Sequence, residues 1–316
     1  MHALHWDGQR LQLETAYPLP QLDESLALVR VRLAGICSTD LQIFQGYMDF
    51  QGVPGHEFVG EVCAGPASWL GQRVVGEMNG CFRQCPQCGQ GLGRHCPARR
   101  VMGILRADGS FAEYVAVPVQ NLHHVPETVS NEEAVFTEPL AAAYEILEQV
   151  PMQPTTEAVV LGDGKLGMLC AQVLHSVGVR VRVVGKHPHK LSLLRHLGIP
   201  TILLAALPTL QVDVVVEATG STAGLALAMT LLRPRGTLVL KSTVAAAHTL
   251  SLAPLVINEI TVVGSRCGRF PPALQALAQK QVSVAPLIER TYKLTEALTA
   301  LEHAARAGTR KIVLRL

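Results

Sequence analysis

Residues 157–178 read EAVVLGDGKLGMLCAQVLHSVG, in the order of a strand, a tight turn and a helix. The apolar run AVVL leads into Gly162-x-Gly164-x-x-Gly167, and an amphipathic stretch at helical spacing follows. Three glycines alone are a weak motif; set between a strand and a helix they mark a dinucleotide-binding turn. Gly162 makes the turn, Gly164 lets a pyrophosphate approach the backbone, and Gly167 lets helix and strand pack closely. The helix that starts at Lys165 and Leu166 presents its N-terminal N–H groups to phosphate. Downstream, VRVVG, HKLSLLRHLG, VDVVVEATG, ALAMTLL, GTLVLKS and ITVVGS continue the alternation of strand and helix. That alternation predicts an α/β, doubly wound parallel sheet, a Rossmann nucleotide-binding domain over residues 140–277.

The second strand bears on the cofactor. An NAD site normally ends this strand with an acid that accepts hydrogen bonds from the ribose hydroxyls. Here the position is Gly185, followed by Lys186, His187, Pro188, His189 and Lys190. An acid would repel a 2′-phosphate, whereas glycine with flanking cations adds attraction. NADP is therefore expected in preference to NAD. Arg266, just past the last parallel strand, falls at the carboxyl-end crevice where such sheets bind ligands.

A second kind of chemistry precedes this domain. Residues 35–62, GICSTDLQIFQGYMDFQGVPGHEFVGEV, carry a thiol at Cys37, an imidazole at His56 and a carboxylate at Glu57. Three such ligands with one open position is the arrangement of catalytic zinc. Gly52, Pro54, Gly55 and Gly60 allow sharp turns around the His-Glu pair. Residues 81–96, CFRQCPQCGQGLGRHC, place Cys81, Cys85, Cys88 and Cys96 on a glycine-rich lobe. Four thiolates there suit a closed, structural zinc site, with His95 as an alternative ligand. Alternation in LALVRVRLAG and short runs near 56–63, 73–77 and 111–117 predict many short strands, an irregular barrel-like β domain that hosts both metals.

Cys-x-Thr-Asp followed by Gly-His-Glu-Phe-x-Gly-Glu-Val resembles the zinc-dependent alcohol dehydrogenase family, the medium-chain dehydrogenases, over nearly the whole chain. The likeness implies a GroES-like catalytic domain made of residues 1–139 and 278–316, with the last strand, KIVLRL, returning to it. Glu138-Pro139 is similar to the Glu-Pro of the polyol, sorbitol and threonine dehydrogenase branch, which makes Glu138 a further candidate zinc ligand. The catalytic shell is then Cys37 and His56 with Glu57, with Glu138, or with both in exchange. Thr39 matches the hydroxyl that touches the substrate oxygen, and Asp40 is expected behind the ligands. The His used by many relatives in proton relay is replaced by Gln42, which does not titrate. By the same resemblance Arg266 points to the active site, and identical subunits pair as a homodimer or homotetramer, with the strand near Ile260–Gly264 as candidate edge.

The activity so implied is hydride transfer between an alcohol (secondary, polyol or sugar-like) or its carbonyl and NAD(P), with one catalytic and one structural zinc per chain. A zinc-free quinone or enone reductase of the same superfamily would have no use for the Cys37 set and the cysteine lobe. A non-catalytic, nucleotide-binding redox sensor would show no alcohol-dependent reduction of cofactor.

Composition agrees with an enzyme acting on small molecules. The 316 residues are 48% hydrophobic and 16% charged, enough for about two domains and a large core. A net charge of +2 and no basic run argue against nucleic acid. No run of about 18 apolar residues and no apolar leader occur, so no membrane span and a cytoplasmic protein are expected. Four of the eight cysteines cluster within 81–96, which favours metal over a disulfide framework.

Overall fold

The computed structural model describes residues 1–80, 85–243 and 251–316. The chain divides into two compact units. The first is Met1–Glu138 with Phe270–Gln279 and Leu287–Leu316; the second is Pro139–Arg269 with Lys280–Pro286. The strands of the two main sheets are, in chain order, β1 (Leu26–Gly35), β2 (Glu57–Ala64), β3 (Arg73–Gly76), β4 (Tyr114–Pro118), β5 (Leu122–His124), β6 (Glu157–Leu161), β7 (Arg180–Gly185), β8 (Thr201–Leu203), β9 (Val212–Glu217), β10 (Leu232–Leu240), β11 (Thr261–Gly264), β12 (Ile288–Lys293) and β13 (Lys311–Arg315).

In the second unit β6 to β11 form one parallel sheet in the order β8-β7-β6-β9-β10-β11. The order reverses beside β6, and ligands of such sheets bind at that switch point. The strands are near-continuous Val and Leu because helices cover both faces. One face packs Val159, Leu161, Val215 and Leu238 with Ala228, Leu231 and Leu232. The helix Lys165–Ser176 buries Gly167 through Leu174 without a break.

In the first unit the sheet runs β12-β13-β1-β2-β3-β5, with β4 also paired to β1. β1 is long because its alternating pattern satisfies two neighbours; its buried residues include Ala27, Val29, Val31 and Leu33. β13 joins antiparallel to β1, with Val313 opposite Gly35, and Glu57 of β2 faces the same glycine from the other side. That register brings the C-terminal strand beside the stretch that carries the candidate ligands.

The observed division differs from the expected one at two segments. The helix Phe270–Ala278, all but its last residue within the span 140–277 expected for the nucleotide domain, belongs to the first unit, and Lys280–Pro286, expected in the catalytic domain, belongs to the second. Phe270 packs its ring 5.5 Å from that of His123 and directs its N–H to Glu77, 3.4 Å away. A helix following β11 continues the β-α alternation in sequence, but its apolar face is buried elsewhere. Among the described residues no helix is long and apolar enough to cross a membrane.

Candidate functional site

Cys37, His56 and Glu57 each offer a ligand atom, and these atoms all lie within 4.8 Å of one another. The backbone explains the meeting. β1 ends at Gly35, and the chain turns at Cys37 into the short helix Ser38–Ile43. Asp40, in its first turn, accepts the Cys37 backbone N–H at 2.7 Å, which fixes the thiol at the strand end. Glu57 opens β2 opposite Gly35, so His56 and Glu57 arrive across the sheet at the same level.

The His56 ring is fully buried, with Nδ1 3.3 Å from Asp40 Oδ1, and the buried Asp40 is 0% exposed. Neither atom has a well-aligned hydrogen-bond partner among the described residues. Burial works against a charged ring here, but the Asp40 carboxylate overcomes it and raises His56 well above an ordinary histidine. The cluster therefore calls for positive charge. A proton meets that demand, and so does a divalent ion, whose binding releases the proton. With Nδ1 turned to a carboxylate, Nε2 is left for a metal, the arrangement that orients ligating histidines. Thiol, imidazole and carboxylate at this spacing fit zinc.

Behind Glu57 stands a residue that no sequence pattern singled out. Lys311, at the start of β13, is 1% exposed and makes an ion pair through Nζ with Glu57 Oε2. Its ammonium also lies 3.3 Å from the Ile36 carbonyl and 5.7 Å from the centre of the Phe136 ring. Burial alone would lower this lysine; Glu57 first, and then Cys37, raise it above its ordinary value, so it is charged. Gly35 makes the pairing possible. A Cβ there would collide with Glu57 Oε2 and stand 3.4 Å from Lys311 Nζ. The only signal in sequence is a lysine opening the apolar run KIVLRL.

Thr39 is half-buried with Oγ1 3.7 Å from Cys37 Sγ, and Gln42 is half-buried one helical turn further on. Glu138 is buried near the start of the helix Thr137–Gln149 and is not one of the three residues that cluster at Cys37.

The cysteine lobe forms a second cluster of Cys85, Cys88 and Cys96. Cys85 Sγ lies 3.4 Å from Cys88 Sγ and 3.7 Å from Cys96 Sγ. A tetrahedron with Zn–S near 2.3 Å has edges of about 3.8 Å, so these thiols fit a shared ion. All three are free thiols. The Cys88 backbone N–H holds the Cys85 thiol below its usual range, toward the thiolate that binds metal. Cys81, the expected fourth ligand, lies outside the described residues. His95 is exposed and not part of the cluster.

In the second unit the glycine turn has the geometry its spacing predicts. Gly162 has φ +121, and a Cβ would meet the Ala218 carbonyl oxygen at 2.6 Å. A Cβ on Gly167 would strike the Gly162 carbonyl oxygen. At Gly164 nothing lies within 4 Å of where a Cβ would stand, which leaves an open cradle at the start of the helix Lys165–Ser176. Backbone N–H groups facing open space at a helix N-terminus fit a pyrophosphate. Lys165 and Leu166 are half-buried there; Lys186 is exposed, His187 half-buried and Lys190 buried.

The end of β7 departs from expectation. Glycine at position 185 predicts no carboxylate there, but one is present, supplied by Asp163 of the glycine turn. A Cβ on Gly185 would lie 2.5 Å from Asp163 Oδ2 and 2.6 Å from Asp163 Cβ. Position 185 is small because Asp163 fills its space. Arg266 is exposed beyond β11, and its carbonyl accepts from Lys241 Nζ at 3.0 Å.

Comparison with known proteins agrees with this geometry. Residues 23–127 match the family model of the alcohol dehydrogenase GroES-like domain, and residues 166–280 match that of zinc-binding dehydrogenases. A sorbitol dehydrogenase of Halalkalibacterium halodurans is 28% identical over 315 residues, covering 92% of this chain and 91% of that protein. A D-arabitol-phosphate dehydrogenase of Enterococcus avium is 26% identical, covering 94% and 91%. Among solved structures, a zinc-binding dehydrogenase of Sinorhizobium meliloti 1021 bound to NADP superposes with a TM-score of 0.91 at 26% identity, covering 100% of this chain and 99% of that one. The two family models together span most of the chain, which belongs to the zinc-dependent alcohol dehydrogenase family of medium-chain dehydrogenases.

Proposed function

We propose that this enzyme oxidises a secondary hydroxyl of a polyol or sugar-like alcohol, and reduces the matching carbonyl, with NADP preferred over NAD. The observation that carries the reading is the Cys37–His56–Glu57 cluster, whose thiol, imidazole and carboxylate meet at a spacing that suits a catalytic zinc. Bound there, zinc would supply Lewis acidity toward the alcohol or carbonyl oxygen, and the nicotinamide would exchange hydride with the carbon.

The residues of the chain do the rest. Cys37 and His56 would hold the metal, Asp40 fixes the Cys37 backbone and sets its carboxylate 3.3 Å from His56 Nδ1, and Lys311 pairs with Glu57. Glu57 is the third ligand in this reading, because it meets Cys37 and His56 in the cluster, and the fourth position stays open; Glu138 is the alternative to Glu57. Thr39 Oγ1, 3.7 Å from Cys37 Sγ, accepts the hydrogen of the substrate hydroxyl and passes the proton outward. Gln42 can orient a water on that route but cannot itself titrate. Cys85, Cys88, Cys96 and Cys81 hold a structural zinc that stabilises a lobe poor in apolar residues.

The polyol class comes from relatives named for sorbitol, D-arabitol phosphate and D-altritol. The NADP preference rests on the basic residues Lys186, His187 and Lys190 around the end of β7. Subunits are proposed to pair along β11, the edge of its sheet, where Val262 is 44% exposed beside Val256 and Ile257 at 77%. A panel of C4–C6 polyols and their phosphates, assayed with both cofactors, tests the reading. A secondary polyol turned over with kcat/KM for NADP at least roughly tenfold that for NAD is expected; turnover only of primary alcohols, or a preference for NAD, would overturn it.

A further inference from the structure

Lys241 follows β10 directly, at the carboxyl end of the parallel sheet, and is 7% exposed. The strand before it, GTLVL, is largely apolar, and a buried amino group is costly unless its hydrogens are accepted. Three acceptors surround Nζ: the Ala142 carbonyl at 2.7 Å, the Arg266 carbonyl at 3.0 Å and Ser265 Oγ at 3.1 Å. They match the three donors of an ammonium. Ala142 belongs to the helix Thr137–Gln149, whereas Ser265 and Arg266 are the first two residues past β11. One side chain therefore bridges the helix and the end of the last parallel strand.

Two further contacts join the same partners. Gln149 Nε2 donates to the Gly264 carbonyl at 3.1 Å, and a Cβ on Gly268 would strike the Ala141 carbonyl oxygen. The register of β10 with β11 closes at Leu240 opposite Gly264, and the Ser265 N–H still reaches the Leu240 carbonyl at 3.0 Å. Past that point Lys241 holds the Arg266 carbonyl. Ser265 is buried and Arg266 exposed, so the bracket holds the backbone inward while the arginine side chain stays out.

We infer that Lys241 is a positioning residue: by tying Ser265 and Arg266 to the helix Thr137–Gln149 it shapes the backbone that receives the nicotinamide half of the cofactor. This rests on the reading of the second unit as a nicotinamide dinucleotide site. In a sheet of this order the dinucleotide crosses the switch point beside β6, with its adenosine half toward β7. The other half falls to the carboxyl ends of β9, β10 and β11. Those ends are joined to one another. The Lys241 backbone N–H donates to the Glu217 carbonyl at 2.9 Å, and the Gly220 N–H donates to Ser242 Oγ at 2.8 Å. Lys241 Nζ adds the end of β11 to the set. Being buried, the lysine acts through the backbone it holds.

The test is calorimetric binding of NADPH and of 2′-phospho-ADP-ribose, which is NADPH without its nicotinamide, to zinc-loaded wild type, Lys241→Met and Ser265→Ala. NADH and ADP-ribose replace them if NAD proves the tighter cofactor. The ratio of the two affinities isolates the nicotinamide. In Lys241→Met that ratio is expected to fall roughly tenfold, with affinity for the fragment within about twofold of wild type. The kcat for the best polyol is expected to fall by about 10²-fold, because a small misplacement of a bound reactant is costly. Ser265→Ala keeps the lysine and removes one acceptor, which guards against a Lys241→Met chain that fails to fold; a fall in the ratio of about two- to threefold is expected there. A wild-type ratio in the variants, whatever their stability in denaturant, would overturn the inference while leaving the dinucleotide reading intact. A fragment weakened as much as NADPH would overturn it too, since the lysine would then serve the whole unit. A wild type that binds NADPH no tighter than the fragment would overturn the nicotinamide reading itself.

Discussion

Replacing Cys37 by Ser or His56 by Ala abolishes alcohol oxidation, with kcat down by at least about 10³-fold, while cofactor affinity stays within about twofold. Both side chains belong to the buried cluster of the first unit, and the open glycine cradle belongs to the second. Loss of a ligand removes the Lewis acid without touching the phosphate-binding backbone. Steady-state kinetics with the best polyol, beside calorimetric titration with NADP, separates the two effects. Turnover surviving in both variants would mean that the reaction does not pass through this cluster.

Lys311→Met is expected to be the most destabilising single change near the site. In the zinc-free protein it leaves the Glu57 carboxylate buried at 1% exposure without the ammonium that pairs with it. Breaking a buried pair from one side costs roughly 3–5 kcal/mol, whereas replacing both partners by neutral groups of similar size costs much less. The double variant Lys311→Met/Glu57→Gln should therefore recover most of the lost stability but not the turnover. Both tryptophans, Trp6 and Trp69, lie in the first unit, so denaturant unfolding followed by tryptophan fluorescence reports on the unit concerned. Wild-type stability in Lys311→Met, or a double variant no better than the single one, would show that the pair does not hold the site.

Local geometry was legible in the sequence, and long-range pairing was not. The strand, glycine turn and helix at 157–178 could be read because everything the motif needs lies within about twenty residues. Cys37, His56 and Glu57 could be named as ligand types, and the sheet register that joins them follows from β1 and β2 pairing as neighbours. Lys311 meets Glu57 across 254 positions, and no local pattern announces that contact. Asp163 escapes notice for another reason. The acid is sought on the strand that normally carries it, while the space above Gly185 is filled from the glycine turn. The helix Phe270–Ala278 misleads through its order in the chain: it follows a parallel strand, as a Rossmann helix does, but buries Phe270 against His123 of the first unit.

Zinc per chain, measured by elemental mass spectrometry on wild type, Cys37→Ser and Cys88→Ser, tests the central claim most directly. Two zinc ions in the wild type and one in Cys37→Ser are predicted, because the Cys37–His56–Glu57 cluster and the Cys85–Cys88–Cys96 lobe each hold their own ion. A wild type with a single zinc that Cys88→Ser removes would contradict it, since the lobe alone would then bind metal and the buried cluster would have no catalytic ion to position.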